Sequence, residues 1–257
     1  MWGMRKRTFL LGGLLLCLLT LVFAQDRKSS AAKPEGADEA MSAMAGHEQM
    51  GAHMLLTSLR PVQPGDKQRA DAVVNTARQT LEKYRDYNAA LGDGYKIFLP
   101  NVPAKMYHFT NWEYAMEAAF RFNPEHPTSL LYEKLPQGGY KLIGAMYTAP
   151  ARLTDAQLDA RIPLSIAQWH EHTNFCQAPK GREKEYFGAH ALFGLQGSIT
   201  TEEHCKAAGG TFRPRIFGWM VHVYPFEQKQ EDIWSVERQM DHGGGDHEMH
   251  DHAHMKM

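Results

Sequence analysis

Basic charge is not in surplus in this chain: 28 Lys and Arg stand against 29 Asp and Glu. Phosphate binding needs a basic face, so a nucleic-acid partner is disfavoured. Long apolar runs are equally scarce. One exists, Phe9 to Phe23, and no second follows. Gly-x-Ser-x-Gly, a phosphate-cradling loop and a dinucleotide fingerprint are all missing, so an ordinary hydrolase, kinase or dehydrogenase lacks support. There is no internal repeat. Cysteine is limited to Cys17, Cys176 and Cys205.

The one apolar run has a function of its own. Arg5, Lys6 and Arg7 precede it, and Val22-Phe23-Ala24 offers a small-residue cleavage site before Gln25. That is the layout of a secretory signal peptide over residues 1–24. The alternative is an uncleaved anchor, but the run is short for a span. Cys17 lacks the preceding Gly or Ala of a lipoprotein signal, and the strict arginine pair of a twin-arginine signal is absent. The expectation is export by the general route to a bacterial periplasm or beyond, with no stable membrane insertion after cleavage. Cleavage removes three of the 28 basic residues, leaving 25 against 29 acidic and a formal charge of −4. It also leaves two cysteines. In an oxidising compartment Cys176 and Cys205 read first as a disulfide, with thiolate metal ligation as the rival.

What the chain has in quantity is histidine and methionine, 14 of each. His242, His247, His250, His252 and His254 lie within the last eighteen residues, Met240 to Met257, with Met249 and Met255 among them. Such a segment has too little apolar surface to build a core, but it can bind metal. Imidazole suits copper, zinc and nickel, and thioether selects Cu(I). A second cluster, Met41, Met44, His47, Met50, His53 and Met54, sits near the other end of the mature chain. Its alternative reading is a short amphipathic helix docking through Met.

Between these clusters the pattern is that of one folded domain. Residues 25–54 read as a flexible leader, 55–237 as a globular domain, and 238–257 as a disordered His/Met-rich tail. Pro64-Gly65-Asp66 opens a helix. Val73, Ala77, Leu81 and Tyr84 recur at helical steps, and Gly92-Asp93-Gly94 stops it, which predicts one helix of about 25 residues. Short strand-like stretches follow: Met106 to Phe109, Leu130 to Leu135 paired with Tyr140 to Tyr147, Ile166 to Phe175, and Ile216 to Phe226. Thr154 to Arg161 and Thr201 to Ala208 read as brief helices. The expected class is α+β: one long N-terminal helix on a mainly antiparallel sheet.

The chemistry concentrates in Trp169-His170-Glu171-His172-Thr173-Asn174-Phe175-Cys176. On a strand, side chains alternate, so His170 and His172 share a face with Asn174 and Cys176, while Trp169, Glu171, Thr173 and Phe175 share the other. His-x-His separates two imidazoles by roughly 7 Å along the backbone, close enough to meet on one ion. Metal sites need further ligands. His222, interrupting the apolar Trp219-Met220-Val221-His222-Val223, is the first candidate. His108 in Tyr107-His108-Phe109 is the second, and Glu133 could add a carboxylate. The competing reading of each histidine alone is an ordinary core or surface imidazole. Cys176 beside the histidines suggests a thiol–imidazole pair, but same-strand spacing does not set sulfur against nitrogen, and a disulfide would remove the nucleophile.

Three resemblances follow from these segments. Tyr84 to Tyr95, Met106 to Asn111, His126-Pro127 with Leu130 to Glu133, His170-Glu171-His172 and Trp219 to Val223 together resemble a family of secreted bacterial domains of unknown function, over about residues 70–226. This resemblance implies one exported domain and directs attention to His108, Glu133, His170 and His222; it implies no reaction. His-x-His on one strand with a later strand histidine is similar to the metal site of cupins, though the Gly-rich spacing and the glutamate after the pair are absent. The termini resemble periplasmic copper- and silver-binding proteins in composition. The expectation is an exported metal-binding protein that buffers or delivers a metal ion, copper favoured over zinc, with a protein partner in transfer. The alternatives are a metal-dependent enzyme with a cupin-like site, and a small-molecule or protein-binding module, its pocket lined by Tyr107, Trp112, Trp169 and Trp219, in which the histidines are structural.

Overall fold

The computed structural model describes residues 47–102 and 104–240. The expected signal peptide, Met41, Met44 and the expected tail ligands His242, His247, Met249, His250, His252, His254 and Met255 lie outside the described residues.

Eight strands form one antiparallel sheet: β1 (Glu48–Gln49), β2 (Met54–Leu56), β3 (Lys96–Ile97), β4 (Met106–Thr110), β5 (Ser129–Lys134), β6 (Tyr140–Ala149), β7 (His170–Gln177) and β8 (Thr211–Val223). Their order across the sheet is β1-β2-β7-β8-β6-β5-β4-β3. The mixture of helix and antiparallel sheet agrees with the expected class. The leader boundary does not hold. Residues 48–56, expected to be mostly flexible, supply two strands, and Leu56 pairs with His170. The sheet draws this segment in because Leu55 and Leu56 are both buried there.

The single long helix is also absent. Helix α1 spans Asp66–Leu81, a 3-10 turn follows over Glu82–Arg85, and α2 spans Tyr87–Gly92. The break has a local cause. A continuous helix would bond the Asn88 N–H to the Tyr84 carbonyl. Instead the Tyr132 hydroxyl donates to that carbonyl at 2.6 Å, and the Asn88 N–H donates to the Asp86 carboxylate at 2.9 Å. Both partners of the bond are taken, so Asp86 turns extended and caps a new helix.

Helix α1 buries Ala70, Val73, Val74, Ala77 and Leu81 along one stripe. They meet Leu55, Tyr107, Leu130, Tyr132, Ala145, Trp169, Trp219, Val221 and Val223 on one face of the sheet, forming the main core. The start of α1 is fixed by charge. The buried Asp66 carboxylate accepts from Arg60 at 2.6 and 2.9 Å, from the Gln63 N–H at 2.8 Å and from the Ser165 hydroxyl at 2.7 Å. These donors hold its carboxyl far below the usual carboxylate range.

The other face of the sheet is concave, and distance shows it. His108 on β4 and His222 on β8 are separated by three strand spacings, roughly 14 Å if the sheet were flat. Their rings are 5.5 Å apart. The sheet therefore bends until distant strands face each other. Register shifts between Leu131 and Tyr132 and between His170 and His172 provide the irregularities that bend strands. Phe217 enters the left-handed region beside the second shift, with φ 65°. The Phe98 ring, beyond β3, reaches across to Phe217 at 5.8 Å. Gly144 permits a close approach at the crossing, since a Cβ there would stand 2.4 Å from the Val223 carbonyl oxygen.

Beyond the sheet's end, Cys176 on β7 and Cys205 on the short helix α3 (Glu202–Ala207) form a disulfide with Cα atoms 5.6 Å apart. The bond packs with Phe193 and Ile199 in a separate small core. Cys176 is thereby withdrawn from both thiolate ligation and nucleophilic chemistry. Its loop spans a sequence separation of 29 residues, and closing a loop of that size stabilises by roughly 3–4 kcal/mol. Replacing both cysteines with Ala is expected to lower the unfolding free energy by about that amount in urea titration. An unchanged midpoint and slope would show that the cross-link carries no stability.

Candidate metal centre

The concave face is built by alternation. On β7, His170 and His172 face one way, and on β8 Met220 and His222 do the same. Register places His170 opposite Met220, and His222 opposite Met146 of β6. His108 of β4 stands opposite Leu131 of β5. The curvature then gathers the four rings. His108 and His222 have centroids 5.5 Å apart, His222 and His170 5.2 Å, and His170 and His172 5.3 Å. Burial, and after it an electrostatic interaction with His172, lowers the pKa of His108, so His172 lies near enough to act on the first ring of the series.

These separations have a chemical meaning. Two imidazoles on one tetrahedral ion, with metal–nitrogen bonds of about 2.0–2.1 Å, place their centroids roughly 5 Å apart. The rings stand edge to face, at 73° and 88° for the two pairs that include His170. Among the described residues, no group of three or more His, Cys, Asp or Glu donors is already set to hold an ion. The spacing thus matches a ligand set, while ring rotation is still required to aim the nitrogens. The Tyr224 hydroxyl stands 3.4 Å from His222 Nδ1, a long contact of the kind that orients a ring so that its Nε2 is presented.

Burial differs around the set. His170 and His222 are fully buried, His172 is nearly so, and His108 is partly exposed. Burial pushes the His108 imidazole down to about 4. It is therefore neutral, and a competent ligand, throughout the neutral and mildly acidic range.

Other expected participants fall elsewhere. Glu133 stands at the end of β5 opposite Met106, about half-exposed, and faces Lys141 Nζ at 4.0 Å. Asn174 has φ 54°, which breaks the alternation that would have put it and Cys176 beside His172. His126 stacks on Tyr114 and bonds to Glu117; His53 bonds to the Gly197 carbonyl. Trp112 is exposed, and Trp169 and Trp219 belong to the main core with Tyr107, so these aromatics line no common pocket.

Sequence reading missed two groups. One is the set of buried methionines Met106, Met146 and Met220 on the concave face, where Met54 of the N-terminal Met/His cluster joins them. The other is Glu171, fully buried, with its carboxylate 3.1 Å from Arg215. Burial raises the Glu171 pKa, while Arg215 and His47 pull it down. It projects to the helix-covered face, away from the two histidines that flank it. The chain matches no family model, no curated protein and no solved structure. The eight strands form one continuous sheet, with His170 and His172 on β7 and His222 on its neighbour β8.

The depressed His108 pKa makes stability depend on acid. Between its ordinary value of about 6.5 and its folded value of about 4, the unfolded chain binds the proton and the folded chain does not. Stability therefore falls as pH drops through this window and is unaffected by this group above it. The expected slope is at most one proton, about 1.4 kcal/mol per pH unit. Urea midpoints from pH 7 to pH 4 in wild type and in His108→Gln test this. Identical slopes would show that His108 is not held neutral by the fold.

Proposed function

We propose that this protein is an exported metal-binding protein, with copper favoured over zinc, that buffers or delivers its ion. The observation that carries the reading is the convergence of His108, His170, His172 and His222 from three strands that are not all neighbours. Chance burial of one histidine is common. Four imidazoles at successive 5.2–5.5 Å separations on one concave face are costly, because each must be taken out of bulk water. A ligand that all four share offsets that cost. The composition of the termini supports the same reading: His242, His247, His250, His252 and His254 with Met249 and Met255 suit capture of a soft or borderline ion. Such a segment recruits ions without fixing their geometry, whereas the sheet fixes it.

A metal-dependent enzyme is the second reading, and the partly exposed His108 favours it to the extent that a substrate would need an approach. Among the described residues no carboxylate stands between the four rings as a general base: Glu171 projects to the opposite face, and Glu133, at the end of β5, faces Lys141. Binding and transfer require no such group.

Metal titration of the full chain, with elemental analysis after desalting, tests the proposal. His170→Ala combined with His222→Ala is expected to remove one tightly held equivalent of copper while leaving weaker binding by the termini. Losing even an orienting partner of a ligand typically costs about 10–100-fold in affinity, so loss of two ligands is expected to exceed that. Equal stoichiometry and affinity in the double variant would overturn the domain site. A separate deletion of residues 241–257 is expected to reduce total capacity and leave the tight equivalent in place.

A further inference from the structure

The sheet register sets a methionine opposite one histidine after another on the concave face. Met146 pairs with His222, Met220 with His170, and Met54 with His172. Met106 lies two residues before His108 on the same strand, hence on the same face. All four methionines are buried. The Met106 sulfur is 4.0 Å from the Tyr224 hydroxyl, which in turn stands 3.4 Å from His222 Nδ1. Directly opposed residues of an antiparallel pair have Cβ atoms about 4.5–5.5 Å apart. A thioether is therefore within one side-chain length of any ion its imidazole neighbour holds.

The plain reading of a buried methionine is gap filling. Met106, Met146 and Met220 do pack with Leu131 and Tyr224. The distribution argues for more. The main core on the other face is far larger and is made of Leu, Val, Ala, Ile and aromatic residues. Among the described residues no methionine belongs to it. A need for adaptable filler would place methionine on both sides of the sheet. Here the thioethers accompany the imidazoles alone.

Charge gives a second, independent argument. Imidazole and thioether are neutral ligands and cannot offset the charge of the ion they bind. The fully buried carboxylate nearest in sequence, Glu171, points to the opposite face toward Arg215, and Glu133 is half-exposed beside Lys141. The cost of burying an ion in a low-dielectric site rises with the square of its charge. A monovalent ion therefore meets a far smaller penalty here than a divalent one. Thioether sulfur and single charge select the same ion.

We infer that the concave face is a mixed imidazole–thioether site selective for Cu(I), in which Met146 and Met220 supply sulfur ligands beside His222 and His170. This rests on the reading that the four rings hold a metal, and it adds the oxidation state and the second ligand type. No redox step is involved, because the ion is bound and released as Cu(I).

The test uses the full chain with Met146→Leu and Met220→Leu, separately and together. Leucine conserves volume and apolarity and is among the substitutions that cores tolerate best. Cu(I) is titrated anaerobically against a chromophoric Cu(I) chelator, and Zn(II) against a zinc indicator, with thermal unfolding as the control for folding. The expected result is a loss of at least tenfold in Cu(I) affinity in the double variant, with Zn(II) affinity within twofold of wild type. Each single variant is expected to show a smaller loss of the same sign, which keeps the test decisive if the double variant does not fold. X-ray absorption at the copper edge is expected to show fewer sulfur neighbours in the variants. Unchanged Cu(I) affinity, or equal weakening of Cu(I) and Zn(II), would make the methionines packing residues and overturn the inference. Those results leave the four-imidazole reading standing, since only the His170→Ala/His222→Ala variant addresses it.

Discussion

The bending of one antiparallel sheet governs everything else in this molecule. His108 and His222 lie three strands apart and yet have rings 5.5 Å from each other. A flat sheet would leave them about 14 Å apart and the concave face would not exist. The bend has local origins in the two register shifts and the left-handed Phe217. It is held from the outside by α1 and the aromatic core, in which Trp169, Trp219, Phe109 and Tyr132 are almost completely enclosed. The large side chains sit on the convex face, where area is greatest. Small Gly144 sits at a tight crossing on the concave one. Residue size and curvature are thus matched across the sheet.

The two faces divide the energetic roles. Burial of aliphatic and aromatic surface on the convex face supplies the driving force, at roughly 25 cal/mol for each square ångström removed from water. The concave face carries a smaller apolar cluster together with the four imidazoles. Burial depresses the pKa of His108, which records a desolvation cost there. On the opposite, helix-covered face Glu171 is a buried carboxylate whose salt bridge to Arg215 recovers only part of its desolvation. Four imidazoles gathered on one patch, against a large apolar core on the other side, support the proposed reading of a ligand site.

Much of this was legible in the sequence, for reasons that can be stated. Local signals carry through: the brief helix expected from Thr154 to Arg161 forms with Thr154 as its cap, and the two strands joined through Pro136–Gly139 form the predicted hairpin. Periodicity put His170 and His172 on a common face, and apolar flanks singled out His108 and His222. Failures came where a distant partner decided the outcome. The helix breaks at Asp86 because Tyr132, 48 residues beyond Tyr84, takes the Tyr84 carbonyl. Glu133 lies at the exposed end of β5 beside Lys141, a pairing that only the β5–β6 hairpin creates. The segment before Leu55 joined the sheet because β7 offered an edge. Met146 and Met220 leave no mark in the sequence because each looks apolar in isolation; only strand register reveals that they stand opposite histidines. Curvature, which makes the cluster, has no local sequence signature at all.

The pattern of exposure around the four rings bears on how an ion would be exchanged. His170 and His222 are enclosed on all sides, and His172 nearly so. His108 alone of the four has more than marginal accessible surface, and it comes from the strand next to the short edge strand β3. On the proposed reading, His108 is the ligand nearest the way in. A freely exposed imidazole would be protonated below about pH 6.5. Burial lowers the pKa of His108 to about 4, so this ring stays a ligand in mild acid. On that reading the enclosed rings and thioethers set affinity, and the imidazole at the rim governs exchange. Such a division separates holding from release, which a metal carrier needs and a permanently closed structural site does not.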